Sequence, residues 1–64
     1  MQLNNFQAST VLSMKDQGVK SFKLCFDNVI VNSDFNGKIE VYGKGWTDEY
    51  YETPEDFAEA YGLI

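Results

Sequence analysis

The N-terminal segment alternates between apolar and polar positions from residue 6 to residue 14. A repeat of two residues is typical of a strand with one buried face, so the pattern predicts a first strand over residues 6–14. Asp16-Gln17-Gly18 then predicts a three-residue hairpin loop. The same residues leave open a helix over residues 4–17 that ends at Gly18. The strand interpretation places Leu12 opposite Phe22, Thr10 opposite Leu24 and Ala8 opposite Phe26.

Turn residues divide the middle of the chain into further antiparallel strands. Asp27-Asn28 predicts a two-residue turn into residues 29–31, which are apolar on both faces and therefore predict a central strand. Asn36-Gly37 is the strongest hairpin signal in the sequence. A two-residue loop at that point would pair Asp34 with Ile39 and Asn32 with Val41.

These two predicted turns conflict with each other. The register of the second turn places Ile39 and Val41 on the face of Ile30, whereas the register of the first turn favours the face of Val29 and Val31. Either a bulge interrupts the pairing or one of the two turns is wrong, and the sequence does not decide between them.

The last third of the chain predicts a turn, a strand and a helix. Gly43-Lys44-Gly45 predicts the turn, and residues 46–52 predict the strand. Thr53 is suited to cap a helix that begins with Pro54, and Gly62 is suited to end it. The sequence therefore predicts one α+β domain over residues 1–64. This domain is a small antiparallel β-meander of about four strands with one short C-terminal helix, over residues 54–61.

Charge is distributed unevenly between the two parts of the chain. Residues 1–45 hold all five lysines against four carboxylates, whereas residues 46–64 hold six carboxylates and no basic residue. Aromatic residues lie among these carboxylates. A net charge of −5 disfavours direct binding of nucleic acid, because phosphate contacts require clustered positive charge.

The composition also disfavours catalysis. The chain has no His, no Arg and a single Cys, so it lacks a ready acid–base group at neutral pH, a bidentate anion clamp and an intramolecular disulfide. Two carboxylate pairs, Glu55/Glu59 and Asp48/Glu52, could serve as general acid and base, but a chain this short can hardly build a deep cleft around them. Alternation within residues 22–26 places Cys25 on the face opposite Phe22, Leu24 and Phe26, without a His to activate it. The sequence predicts a protein that is not an enzyme.

Residues 32–43 resemble an EF-hand calcium loop in part. Oxygen-bearing side chains occupy positions one, three and five, and Gly37 occupies position six. Position one is Asn32 where Asp is usual, and position twelve is Gly43 where a bidentate Glu is required. Both flanks are also predicted as strands. An Asn-Gly hairpin is therefore the preferred interpretation, and no metal or cofactor is expected.

The acidic and aromatic C-terminal third is the candidate interaction surface. Carboxylates one helical turn apart, such as Glu55 and Glu59, can imitate the charges of a nucleic-acid backbone. Neighbouring aromatic side chains would supply desolvated anchors for the contact. The alternative is that the acids only solubilise the outer side of a terminal helix. The candidate partner-binding residues are Trp46, Asp48, Glu49, Glu52, Glu55, Asp56, Phe57, Glu59 and Tyr61.

A resemblance to one family supports this choice. Residues 50–52, Tyr-Tyr-Glu, followed by residues 56–62, Asp-Phe-Ala-Glu-Ala-Tyr-Gly, are similar to a family of uracil-DNA glycosylase inhibitors with a Tyr-Tyr-Glu strand and an Asp-Phe-x-x-x-Tyr-Gly helix. More broadly, the small acidic chain resembles phage-encoded inhibitors of host DNA-processing enzymes, which include anti-CRISPR proteins. The resemblance implies that Phe57 and Tyr61 help to form an apolar pocket for an enzyme side chain, and that two protomers pair. The spacing between strand and helix is shorter here than in that family.

We therefore expect a protein that binds and inhibits a host nucleic-acid-processing protein by mimicry of nucleic acid, in the cytoplasm of a bacterial host. Contact with a membrane is not expected, because no apolar run approaches the length of a membrane span and no signal peptide is visible. The alternative is a structural or accessory interaction module, such as a dimerisation domain, without an inhibitory role. A homodimer is expected because a thin sheet covered by one short helix leaves an apolar face open.

Overall fold

Over the part of the chain that the structure describes, the fold is a four-stranded antiparallel sheet with two helices on one of its faces. The computed structural model describes residues 2–43 and 48–64. The elements are α1 (Asn5–Asp16), β1 (Phe22–Phe26), β2 (Val29–Ser33), β3 (Ile39–Gly43), β4 (Glu49–Tyr51) and α2 (Pro54–Ala60). The strands follow one another in the order β1-β2-β3-β4, and each neighbouring pair is antiparallel. The predicted α+β class, the four-stranded meander and the C-terminal helix are confirmed, and α1 is an additional element.

The N-terminal segment is a helix, so the strand predicted over residues 6–14 is wrong. Asn4 caps α1 in a capping box: its side chain accepts a hydrogen bond from the Gln7 amide at 2.8 Å, and the Gln7 side chain accepts one from the Asn4 amide at 3.0 Å. Ala8 and Val11 are buried on the side that faces the sheet. The hairpin predicted at residues 16–18, and its three strand pairs, are therefore wrong as well.

Gly18 ends α1, as the alternative interpretation of this segment predicted. Its backbone has φ 83°, and its amide donates to the Lys15 carbonyl at 3.0 Å. The Val19 amide donates to the Met14 carbonyl at 3.1 Å. This pair of bonds is a Schellman motif, which satisfies the last helical carbonyls and turns the chain towards β1.

The register of the sheet resolves the conflict between the two predicted turns. The Asp27-Asn28 turn is confirmed, because Phe26 pairs with Val29, and β2 is a central strand. The two-residue loop at Asn36-Gly37 is wrong, because Ser33 pairs directly with Ile39 across a loop of residues 34–38. The Asp34 carboxylate accepts hydrogen bonds from the amides of Asn36 and Lys38, which stabilises this longer loop.

The longer loop places both aliphatic residues of β3, Ile39 and Val41, on the core face. Val41 pairs with Val31, and both are fully buried together with Ile39. Helices α1 and α2 cover this face with Val11 and Phe57, which are also fully buried. The opposite face, called the outer sheet face here, carries Lys23, Cys25, Ile30, Asn32, Glu40, Tyr42 and Tyr50.

The C-terminal helix forms as predicted. The Thr53 hydroxyl accepts a hydrogen bond from the Asp56 amide at 3.0 Å, and Pro54 takes the first helical position. Gly62 has φ 69°, and the Leu63 amide donates to the Ala58 carbonyl at 2.8 Å in a second Schellman motif. Of the strand predicted over residues 46–52, the described part forms Glu49–Tyr51. Most of the turn predicted at Gly43-Lys44-Gly45 lies outside the described residues.

Candidate protein-interaction surface

Five of the predicted carboxylates are exposed on the side of the molecule formed by β4 and α2. Asp48 and Glu52 flank the edge strand β4, and the other three lie on the solvent side of α2, which buries Phe57 and Ala58 on its opposite side. The short helix separates acidic and apolar residues because burial of Phe57 and Ala58 against the core turns the acidic residues towards solvent. We call the five residues the acidic surface: Asp48, Glu52, Glu55, Asp56 and Glu59.

Glu49 is different from these five, because its carboxylate faces inward. One oxygen, Oε1, accepts hydrogen bonds from the hydroxyls of Tyr51 and Tyr61, each at 2.6 Å. The other oxygen, Oε2, accepts a hydrogen bond from the Gln2 amide at 2.9 Å. Glu49 therefore joins the N-terminal segment, β4 and the end of α2, and we remove it from the set of partner-binding residues.

The network around Glu49 changes the acidity of both tyrosines. Burial, followed by the hydrogen bond to Glu49, raises the pKa of Tyr61 to about 12. The same two causes, in the same order, raise the pKa of Tyr51 well above its ordinary value. Both hydroxyls therefore stay protonated at neutral pH and act as donors to the carboxylate.

Phe57 and Tyr61, two of the predicted partner-binding residues, lie in the core. Phe57 is 0% exposed and Tyr61 is 6% exposed. Their ring centroids lie 4.8 Å apart, and the Tyr51 ring contacts Phe57 edge-on at 5.4 Å. A pocket for an enzyme side chain, as the family resemblance implied, would require these rings to be accessible. Trp46, which was also predicted to bind a partner, lies outside the described residues.

Tyr50 is an exposed aromatic residue that the sequence analysis did not select. It is 51% exposed and projects from β4 onto the outer sheet face, opposite Glu40. The Tyr-Tyr pair at residues 50 and 51 contained the signal, because adjacent residues of a strand point to opposite faces. Since Tyr51 packs against the core, Tyr50 is the tyrosine of this pair that is accessible to a partner.

One lysine lies close to the acidic surface. A side-chain hydrogen bond with Tyr50 is the main cause that raises the pKa of Lys38, and the negative charges of Glu52 and Asp34 add to the effect. This proximity follows from the pairing of β3 with β4 and has no signal in the sequence. Lys38 therefore offsets part of the negative potential at the Glu52 end, whereas α2 carries no basic residue.

The remaining sequence motifs fall at ordinary places in the fold. Strands flank the loop of residues 34–38 on both sides, so the hairpin interpretation is confirmed, with a longer loop, and the EF-hand interpretation is wrong. Cys25 is exposed on the outer sheet face, as predicted.

Within residues 2–43 and 48–64, no group of three or more Cys, Asp or Glu side chains is arranged to hold a metal ion. In the same ranges, neither helix has the length and apolar character needed to cross a membrane.

No protein-family model matches the chain, and no curated protein or solved structure matches it either. The physical properties of the acidic surface therefore carry the functional argument.

Proposed function

We propose that this chain is a non-enzymatic protein that binds and inhibits a host nucleic-acid-processing protein by presenting its acidic surface to the basic site where nucleic acid binds. The observation that carries the proposal is the exposure of all five carboxylates along β4 and α2. These carboxylates belong to a segment of the sequence with no basic residue. A basic nucleic-acid site is the complementary surface, because it is built to receive a dense row of negative charges.

The local structure supports presentation of these charges as a fixed array. Glu55 and Glu59 are one helical turn apart, which places their Cβ atoms about 5–6 Å from each other. The helix that holds them is fixed by Thr53 at one end, by the Gly62 turn at the other and by Phe57 in the core. Little conformational entropy is then lost when a partner binds, since the helical backbone is already ordered.

Tyr50 is the aromatic residue best placed to contribute apolar contact beside the charges. Its ring is half-exposed, and it lies on β4, which Glu52 follows in the chain. Tyrosine is enriched among the residues that dominate binding energy, because it buries a rigid ring and keeps a polar group for the rim. Encounter with the partner is expected to be steered by charge and to weaken as salt is added.

Capture from a bacterial lysate tests the proposal with three baits. They are the wild type, the acid-neutralised variant E52Q/E55Q/D56N/E59Q, and the lysine variant K20Q/K23Q, whose changed residues are exposed and lie at the opposite edge of the sheet. We expect a nucleic-acid-processing protein on the wild-type and lysine-variant baits, released by high salt and absent from the acid-neutralised bait. Equal capture by all three baits, with the acid-neutralised variant folded by circular dichroism, would refute the proposal.

A second candidate function, a dimerisation module, is favoured by the outer sheet face, which lies opposite the face that the two helices cover. Register places Lys23, Asn32, Glu40 and Tyr50 in one row across the four strands. A two-fold axis parallel to the strands would place this row against the reversed row of a second copy. Lys23 would then face the Tyr50 ring of the other copy, and Glu40 would face its Asn32 side chain. Ile30 and Tyr42 would meet at the centre.

Sedimentation equilibrium at micromolar concentration tests this second function. We expect a dimer for the wild type and a monomer for I30K, which places a charge at the centre of the contact. The matched change K20Q, on an exposed residue outside the outer sheet face, should leave the dimer intact. A wild-type mass of 7.3 kDa would exclude the dimer.

A further inference from the structure

A groove lies between the two helices, on the side of the molecule that carries the acidic residues of α2. Leu12 of α1 and Pro54 and Ala58 of α2 form an apolar floor, and Ile64 lines one side. The volume of the groove is about 200 Å³, and it is open to solvent. Leu12 is half-buried and Ala58 is buried, so the floor is continuous with the apolar side of both helices.

Two carboxylates line the groove, one from each helix. Asp16 is the last residue of α1, Glu55 lies in the first turn of α2, and both are exposed. The negative end of the α1 dipole and the positive end of the α2 dipole meet here and oppose each other. The two carboxylates are the charged side chains that line the groove, and they favour a cation there.

We propose that this groove receives a lysine or arginine side chain of a basic protein partner, with its aliphatic stem on the apolar floor and its cationic head between Asp16 and Glu55. This inference rests on the proposed function and adds a defined contact to it. Long cationic side chains are amphipathic in this way, with an apolar stem and a charged end. A purely apolar side chain in the groove would remove water from Asp16 and Glu55 without supplying a positive charge. An anion would be repelled by both carboxylates.

The test uses three synthetic peptides, because the natural partner is not identified. The first contains four arginines alternating with glycine. The second replaces each arginine with citrulline, which keeps the stem and removes the charge. The third replaces each arginine with diaminopropionic acid, which keeps a charge and shortens the stem. We expect only the arginine peptide to shift the amide resonances of Leu12, Asp16, Glu55 and Ala58 strongly in titrations followed by NMR.

Two protein variants locate the binding site. D16N/E55Q removes the groove carboxylates, and D27N/E59Q removes the same charge from exposed positions that do not line the groove. We expect the first variant to bind the arginine peptide roughly fivefold more weakly than the second, at equal ionic strength. Equal weakening in both variants, or arginine and diaminopropionic acid peptides with the same shift pattern, would overturn the groove contact.

The inference and the proposed function can fail separately. If the peptide shifts spread over Asp48, Glu52 and Glu59 without a maximum at the groove, the groove contact is wrong, while capture by the acidic surface can still succeed. If the groove binds arginine selectively but no nucleic-acid-processing protein is captured, the proposed function is wrong, and the groove would be a site for another class of basic partner.

Discussion

The Glu49 carboxylate joins the N-terminal segment to β4 and to the end of α2. The Gln2 amide, the Tyr51 hydroxyl and the Tyr61 hydroxyl all donate to it. Hydrogen bonds to a charged acceptor are stronger than those between neutral groups, particularly where water is partly excluded. At the residue scale, Glu49 therefore stabilises the fold, while the other carboxylates of the same segment remain available to a partner.

Replacing Glu49 with Gln should destabilise the protein by about 1–3 kcal/mol, because one acceptor oxygen becomes a donor that faces other donors. Urea unfolding followed by circular dichroism measures the change in free energy. E59Q is the matched control, because Glu59 is exposed on α2, and it should stay within about 0.5 kcal/mol of the wild type. Equal stability of the two variants would contradict the role given to Glu49.

The raised pKa values of Tyr61 and Tyr51 predict a loss of stability in alkali. A folded-state pKa of about 12 for Tyr61 lies above the ordinary value of 10.0, so the folded protein holds this proton more tightly than the unfolded chain does. The stability that this provides is complete below pH 10 and is lost as the pH rises through the folded-state pKa. Urea unfolding between pH 8 and pH 12 should show this decline, and Y61F should reduce it. A flat profile above pH 10 would contradict the network.

At the element scale, the loop of residues 34–38 packs against the start of α2. Gly37 has φ 87°, and a Cβ atom at this position would lie 3.3 Å from Pro54 Cδ. Gly18 has nearly the same backbone, with φ 83°, but a Cβ atom there would meet nothing within 4 Å. The two glycines therefore separate the cost of backbone strain from the cost of crowding.

Changing Gly18 to Ala should cost about 1 kcal/mol, because only the left-handed backbone opposes the new side chain. Changing Gly37 to Ala should cost more, because Pro54 must also move. Urea unfolding of the two variants under the same conditions measures the difference. If G37A is as stable as G18A, or more stable, the loop does not pack against Pro54 as described.

Local chemistry made some elements predictable from the sequence. Thr53-Pro54 and Gly62 specify both ends of α2, and Asp27-Asn28 specifies its turn, without help from distant residues. In α1, however, Ala8 and Leu12 fit a repeat of two as well as a helical repeat. Val11 is buried and Phe6 is exposed, which fits the helix and not the strand. Which of these residues is buried depends on the tertiary structure, so the sequence alone did not reveal it. The capping box at Asn4 and Gln7 was the available local signal.

The other errors arose where long-range packing outweighed a local preference. Asn36-Gly37 favours a two-residue turn, but burial of Ile39 and Val41 on the core face requires the longer loop. For the candidate surface, helical spacing correctly predicted that Glu55 and Glu59 are exposed. The inward direction of Glu49 was not predicted, because two of its three donors, the Gln2 amide and the Tyr61 hydroxyl, lie outside β4.

At the scale of the whole molecule, the strand order separates the charges. Lys20 and Lys23 lie at or beside β1 on one edge of the sheet, and Asp48 and Glu52 flank β4 on the other edge. A basic partner should therefore approach the edge formed by β4 and α2 and avoid the edge formed by β1. The proposed mimicry of nucleic acid depends on this polarity, whereas an acidic composition that only maintains solubility does not require it.

Competition with nucleic acid for the captured host protein tests the mimicry most directly. The wild-type chain should displace fluorescent DNA or RNA from that protein, and K20Q/K23Q should displace it equally well. The folded acid-neutralised variant E52Q/E55Q/D56N/E59Q should require at least about thirtyfold more protein at low salt, with a smaller difference at high salt. If this variant displaces the nucleic acid as well as the wild type does, the acidic surface is not the inhibitory surface.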